Sequence, residues 1–90
     1  MTKQEILQIV KTQEKINGNF DLIDNDINEK IEDVIDYIYE KTGIEEAEQL
    51  ELHGRKIVRG VRDLYNYDAY QTIFLDLVKT MSIYGSNNNA

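Results

Sequence analysis

The sequence predicts an all-α fold: a small bundle of two long helices, with a short N-terminal helix and a C-terminal helix added. Three observations carry this. Apolar residues recur at spacings of three and four in four successive segments. No segment shows the sustained alternation of a half-buried strand. Proline is absent, so Gly and Asn supply the breaks.

The first helix opens at Thr2, which with Glu5 makes a capping box of the T-x-x-E type. Ile6, Ile9 and Val10 form its stripe, and the turn dipeptide Asn17-Gly18 follows it. A helix this short needs tertiary packing to persist. The second helix runs from about Asp21 to Thr42, with Phe20, Ile23, Ile27, Ile31, Val34 and Ile38 along one face. Its first turns are acidic, as the helix dipole favours, and Gly43 is placed as the C′ residue.

The third segment carries Ala47, Leu50, Gly54, Ile57, Val58, Val61, Leu64 and Tyr65 on one stripe, with a break allowed near "LELHG". Gly54 lies on the stripe, which points to close helix approach. Gly60 lies nearer its edge, with no local reason to be glycine. "NYDA" reads as the next turn, with Asp68 as the N-cap of the last helix. That helix carries Tyr70, Ile73, Phe74, Leu77, Val78 and Met81 and ends near Gly85. The expected core is Ile31, Val34, Ile38, Ile57, Val61, Leu64, Phe74 and Leu77. Residues 1–85 then form one domain, and 86–90 a disordered polar tail.

Composition narrows the function. The chain has 90 residues and a net charge of −7, which argues against general duplex binding, because affinity for phosphate comes from excess Lys and Arg. It has no cysteine and a single histidine, His53, so neither disulfides, a thiolate metal site nor a histidine-rich one is expected. A small domain without such staples turns to oligomerisation for extra stability. No apolar run approaches a membrane span, and "MTKQEILQIVKTQ" lacks the apolar core of a signal peptide. The cytoplasm of the producing cell is the expected site of synthesis.

"DNDINE" tests as a calcium loop and fails. Asp24, Asp26 and Asn28 fit the first ligand positions, but Glu29 stands where Gly is required and Ile35 where a bidentate Glu is required. No cofactor is expected. No nucleophile elbow, phosphate loop or zinc motif is present, and His53 lies at the boundary of an apolar stripe, so an enzyme is not expected.

"GRKIVRGVRDLYNYDAY" is the exceptional stretch: it holds four of the ten basic residues and three of the six tyrosines. At about 100° per residue, Arg55, Arg59 and Arg62 share one sector opposite Ile57, Val61 and Leu64, with Lys56 on the flank. This basic face admits three readings: a solvated surface, a protein contact or a phosphate contact. Residues 21–51 hold twelve acids against only Lys30 and Lys41, which supplies a complementary surface and disfavours a polyanion. Asp24, Asp26, Glu29 and Asp33 are the candidate acidic partners of Arg55, Lys56, Arg59 and Arg62. Tyr67, in the turn, is an exposed candidate beside them, while Tyr65 and Tyr70 are expected to pack. Opposite faces on one subunit suit head-to-tail contacts, which close into rings where the rotation allows.

Three stretches together resemble the small head–tail connector, or adaptor, proteins of tailed bacteriophages. "FDLIDNDINEKIEDVIDYI" is similar to that family's first long helix, "GRKIVRGVRDLYNYDA" to its second, and "FLDLVKTMSIYG" to its closing segment. The resemblance implies a structural virion protein that assembles as a ring, twelvefold like the portal. Such a ring sits beneath the portal protein, extends the DNA channel and docks a stopper or tail-completion protein, with DNA only as passing cargo. An acidic channel would not grip that DNA. Two other classes stay open: a small regulatory protein-binding module, antitoxin-like or an inhibitor of a host protein, and a DNA-binding helical protein.

Overall fold

A computed structural model describes the backbone of residues 1–88 and the side chains of residues 1–81. Among the described residues the chain forms helices only: α1 (Lys3–Gln13), α2 (Asp21–Thr42), α3 (Glu46–Leu52), α4 (Gly54–Tyr67) and α5 (Thr72–Asn88). No described helix is long and apolar enough to cross a membrane. The expected all-α bundle is present, but its second long helix is divided at His53 into α3 and α4.

Local chemistry sets each boundary. The Thr2 hydroxyl accepts from the Glu5 backbone N–H at 3.1 Å, and the Glu5 carboxylate accepts from the Thr2 N–H at 3.0 Å, completing the capping box. Gly43 ends α2 in the left-handed region at φ 74°, where glycine carries no steric penalty. Asp68 is a correction: it closes α4 in the left-handed region at φ 55° and caps no helix start. Asp63, buried on α4, prepares α5 instead, its Oδ2 accepting from the Gln71 N–H at 3.0 Å. At its far end α5 continues past Gly85 to Asn88, further than expected. Of the expected polar tail, residues 89 and 90 lie outside the described residues.

α2 is the spine of the bundle. Its Ile27, Ile31, Val34, Ile35 and Ile38 join Ile6, Leu7 and Val10 of α1, Ile57, Val58 and Val61 of α4, and Phe74, Val78 and Met81 of α5 in one core. Ion pairs from Lys3 to Glu32 and from Lys11 to Asp24 run α1 antiparallel to α2. Met1 against Gly54 and Glu14 against Arg62 run α1 parallel to α4. Leu64 and Leu77, expected in the core, are half-buried. Phe20 and Ile73 are corrections, 52% and 57% exposed: Phe20 precedes the first turn of α2, and Ile73 lies about 100° around α5 from the inward Phe74. Ala47, placed on the third stripe, is also exposed, because the stripe is interrupted where α3 breaks from α4.

Two polar side chains hold irregular joints. Gln49 of α3 is fully buried and donates to the carbonyls of Ile35 and Ile44 at 3.1 and 2.8 Å, fastening α3 and its preceding loop to α2. Lys11 is buried and reaches Asp24 at 2.9 Å and Asn19 at 3.4 Å, fastening the turn between α1 and α2.

Candidate functional site

The side chains with surface chemistry to spare lie on two opposite faces. On α4, Ile57, Val58 and Val61 turn inward, which sends Arg55, Arg59 and Arg62 outward at spacings of four and three. Arg55 is exposed, and Arg59 and Arg62 are partly covered. They form a ridge between shallow depressions. Arg55 borders a hollow of about 290 Å³ with Ile9, Thr12 and Gln13 of α1. Arg59 and Arg62 border another of about 270 Å³ with Asn66, Tyr67 and Ile73. Tyr67 is 65% exposed, so a cationic ridge ends beside two uncovered apolar side chains.

The three arginines are not equivalent. Arg62 donates from Nε to Glu14 Oε2 at 2.6 Å and from Nη1 to Gln13 Oε1 at 3.0 Å. Asn66 Nδ2 donates to the same Glu14 oxygen at 3.0 Å. Burial pushes the Glu14 carboxyl up, but the Arg62 and Asn66 bonds outweigh it and hold the group below its ordinary range. Arg62 therefore ties α1 to α4. Among the described residues neither Arg55 nor Arg59 has a hydrogen-bond or ion-pair partner. Lys56 is half-buried, 3.3 Å from His53 Nδ1. Burial and then the Lys56 charge lower the His53 pKa.

The acids of α2 divide the same way. Asp24 is engaged by buried Lys11, and Asp26 by Lys30 at 2.7 Å one turn along the helix. Glu29 and Asp33 are exposed and, among the described residues, carry no ion pair or hydrogen bond. Asp36 and Glu40 share that state and were not singled out from the sequence. Their spacing contained the signal: 29, 33, 36 and 40 are separated by four, three and four, directly opposite the Ile27–Ile38 stripe. Leu22 falls on the same outer face, one heptad before Glu29, and is 86% exposed.

Residues 24–35, weighed as a calcium loop, are continuous α-helix. The described residues bring together no group of three His, Cys, Asp or Glu side chains able to hold a metal ion. One phenol is perturbed. Tyr70 stacks between Tyr37 and Phe74, with ring centroids 4.6 and 4.7 Å away, and burial, then Asp33 and Tyr37, push its pKa up to about 12.

No family model, curated protein or solved structure matches the chain.

Proposed function

We propose that the chain is a structural assembly protein, an adaptor of the head–tail connector of a tailed bacteriophage, which forms a ring beneath the portal protein and docks a stopper or tail-completion protein. The observation that carries this reading is the separation of uncompensated charge onto two outer faces of one small helical subunit. Among the described residues, Arg55 and Arg59 on α4 and Glu29, Asp33, Asp36 and Glu40 on α2 make no ion pair or hydrogen bond. A subunit with opposite charges on opposite faces fits head-to-tail assembly. The connector assignment rests on the resemblance of three stretches of α2, α4 and α5 to that family. The acidic surplus is compatible with a channel that passes DNA without holding it.

The exposed pair Tyr67 and Ile73 beside Arg59 favours a second reading, a regulatory module that binds one host protein through this spot. Arg and Tyr are enriched in interface centres, and here they stand beside exposed Ile73. Co-sedimentation with an assembled phage portal protein separates the two. The connector reading expects the chain to pellet with assembled portal and to slow in release as salt is lowered. A chain that remains in the supernatant at every salt concentration contradicts it and favours the regulatory module.

A further inference from the structure

Resting on the assembly reading, we infer that the partner of the α4 arginine ridge is the outer face of α2 in a second copy of this chain, laid antiparallel along α4. Three features of each surface fall in matching order. On α2 they are Leu22, Glu29 and Asp33. On α4 they are the Tyr67–Ile73 spot, Arg59 and Arg55.

The spacing agrees as well as the order. At about 1.5 Å per residue, Leu22 stands about 10.5 Å from Glu29 and about 16.5 Å from Asp33 along the helix axis. Tyr67 stands about 12 Å from Arg59 and about 18 Å from Arg55 on the same basis. Setting Leu22 on Tyr67 and Ile73 therefore brings Glu29 level with Arg59 and Asp33 level with Arg55. With Leu22 kept on that apolar spot, a parallel alignment would carry Glu29 and Asp33 past the end of α4 and leave both arginines without partners. Leu22 and Tyr67 are among the most exposed large apolar side chains, at 86% and 65%, and each gains cover in this register. The depressions on either side of the ridge, bounded by Ile9 and Gln13 on one side and Asn66 and Ile73 on the other, receive the flanks of the incoming helix. Arg59 and Arg55 offer planar forks suited to carboxylates.

The two surfaces lie on different faces of the subunit, so the contact is heterologous, and each copy donates one and accepts one. That property gives a stringent test. Arg55→Glu with Arg59→Glu makes both faces acidic. Glu29→Lys with Asp33→Lys sets lysines opposite the arginine ridge. By sedimentation velocity at low salt, wild type associates, and each double variant alone associates at least about a hundredfold more weakly, because like charges now meet. An equimolar mixture of the two variants regains the fast-sedimenting species, since each presents a face complementary to the other. Leu22→Ala, at a position with no core role, weakens wild-type association about tenfold. Circular dichroism verifies folding, and Leu22→Ala together with the salt dependence of wild type decides the matter if a charge variant loses helicity.

A mixture that stays monomeric, a double variant that assembles like wild type, or a wild type that is monomeric at all concentrations overturns the contact. So does a ridge whose reversal abolishes DNA binding without altering self-association, which assigns it to phosphate. Portal binding is read separately. A wild type that binds portal while the variants fail to complement overturns this contact alone. Variants that complement in a chain that never binds portal overturn the connector reading alone.

Discussion

A methyl group added at Gly60 would lie 2.6 Å from Phe74 Cε1, 2.8 Å from its Cζ and 3.0 Å from a Val34 methyl. The ring is fully buried with Tyr70 packed against it at 4.7 Å, which leaves it little room to withdraw. Gly60→Ala therefore destabilises the fold by about 1–2 kcal/mol net, since overpacking outweighs the gain of roughly 1 kcal/mol in helix propensity. Urea unfolding measures this as a lowered midpoint, and Phe74→Leu in the same chain recovers part of it. Gly54→Ala is milder, because the atoms it meets belong to the unbranched side chain of Met1. The sequence made Gly54 interpretable and Gly60 not. Gly54 lies on the apolar stripe of its own helix, whereas Gly60 answers to an aromatic ring fourteen residues away that no local pattern reveals. Tyr70 supplies a second test at this scale. Its folded pKa, about 12 against 10 in the unfolded chain, means the neutral phenol is favoured on folding. That stabilisation is complete below pH 10 and is lost as pH rises from 10 to about 12. Phenolate absorbance should show one tyrosine ionising last, and Tyr70→Phe should remove that late step and flatten the alkaline loss of stability.

Helices α1 and α4 are joined by the cluster of Glu14, Arg62, Asn66 and Gln13, which no periodicity announced. The spacing of Arg55, Arg59 and Arg62 correctly predicts that they share a sector. It cannot tell that the end of α1 passes Arg62 and gives it a carboxylate at 2.6 Å. The same blindness applies to Asp24, whose partner Lys11 lies across a turn. What periodicity did reveal was the inward face of α2, where every residue between Ile27 and Ile38 on the stripe is buried. The Glu14 cluster makes a signed prediction. A carboxyl held below its ordinary value of 4.5 stabilises the fold fully above that value and loses the contribution as pH falls through the folded pKa. Glu14→Gln should lower the urea midpoint at neutral pH and make stability less steeply dependent on pH in the acid range. An unchanged acid profile would mean that Arg62 and Asn66 do not hold the carboxylate in solution.

At the scale of the whole molecule, one small core accounts for the fold and leaves the functional chemistry outside it. Fold class and the α2 spine were legible because burial imprints a period on the sequence. The division at His53 was legible only as a weak point. The start of α5 was misplaced, because Asp68 is an ordinary capping residue by type and the true support comes from Asp63 on the preceding helix. The outer faces were half legible: charge and sector are written in the chain, but which charges are already paired is set by tertiary neighbours. With Arg62, Asp24 and Asp26 engaged inside the subunit, the assembly account concentrates on Arg55, Arg59, Glu29 and Asp33. Native mass spectrometry of the chain with a phage portal protein tests that account most directly. The account predicts one dominant complex in which copies of this chain equal the portal subunits in number, and its dissociation as ionic strength rises. A chain that remains monomeric beside intact portal, or binds it in scattered stoichiometries indifferent to salt, would contradict it.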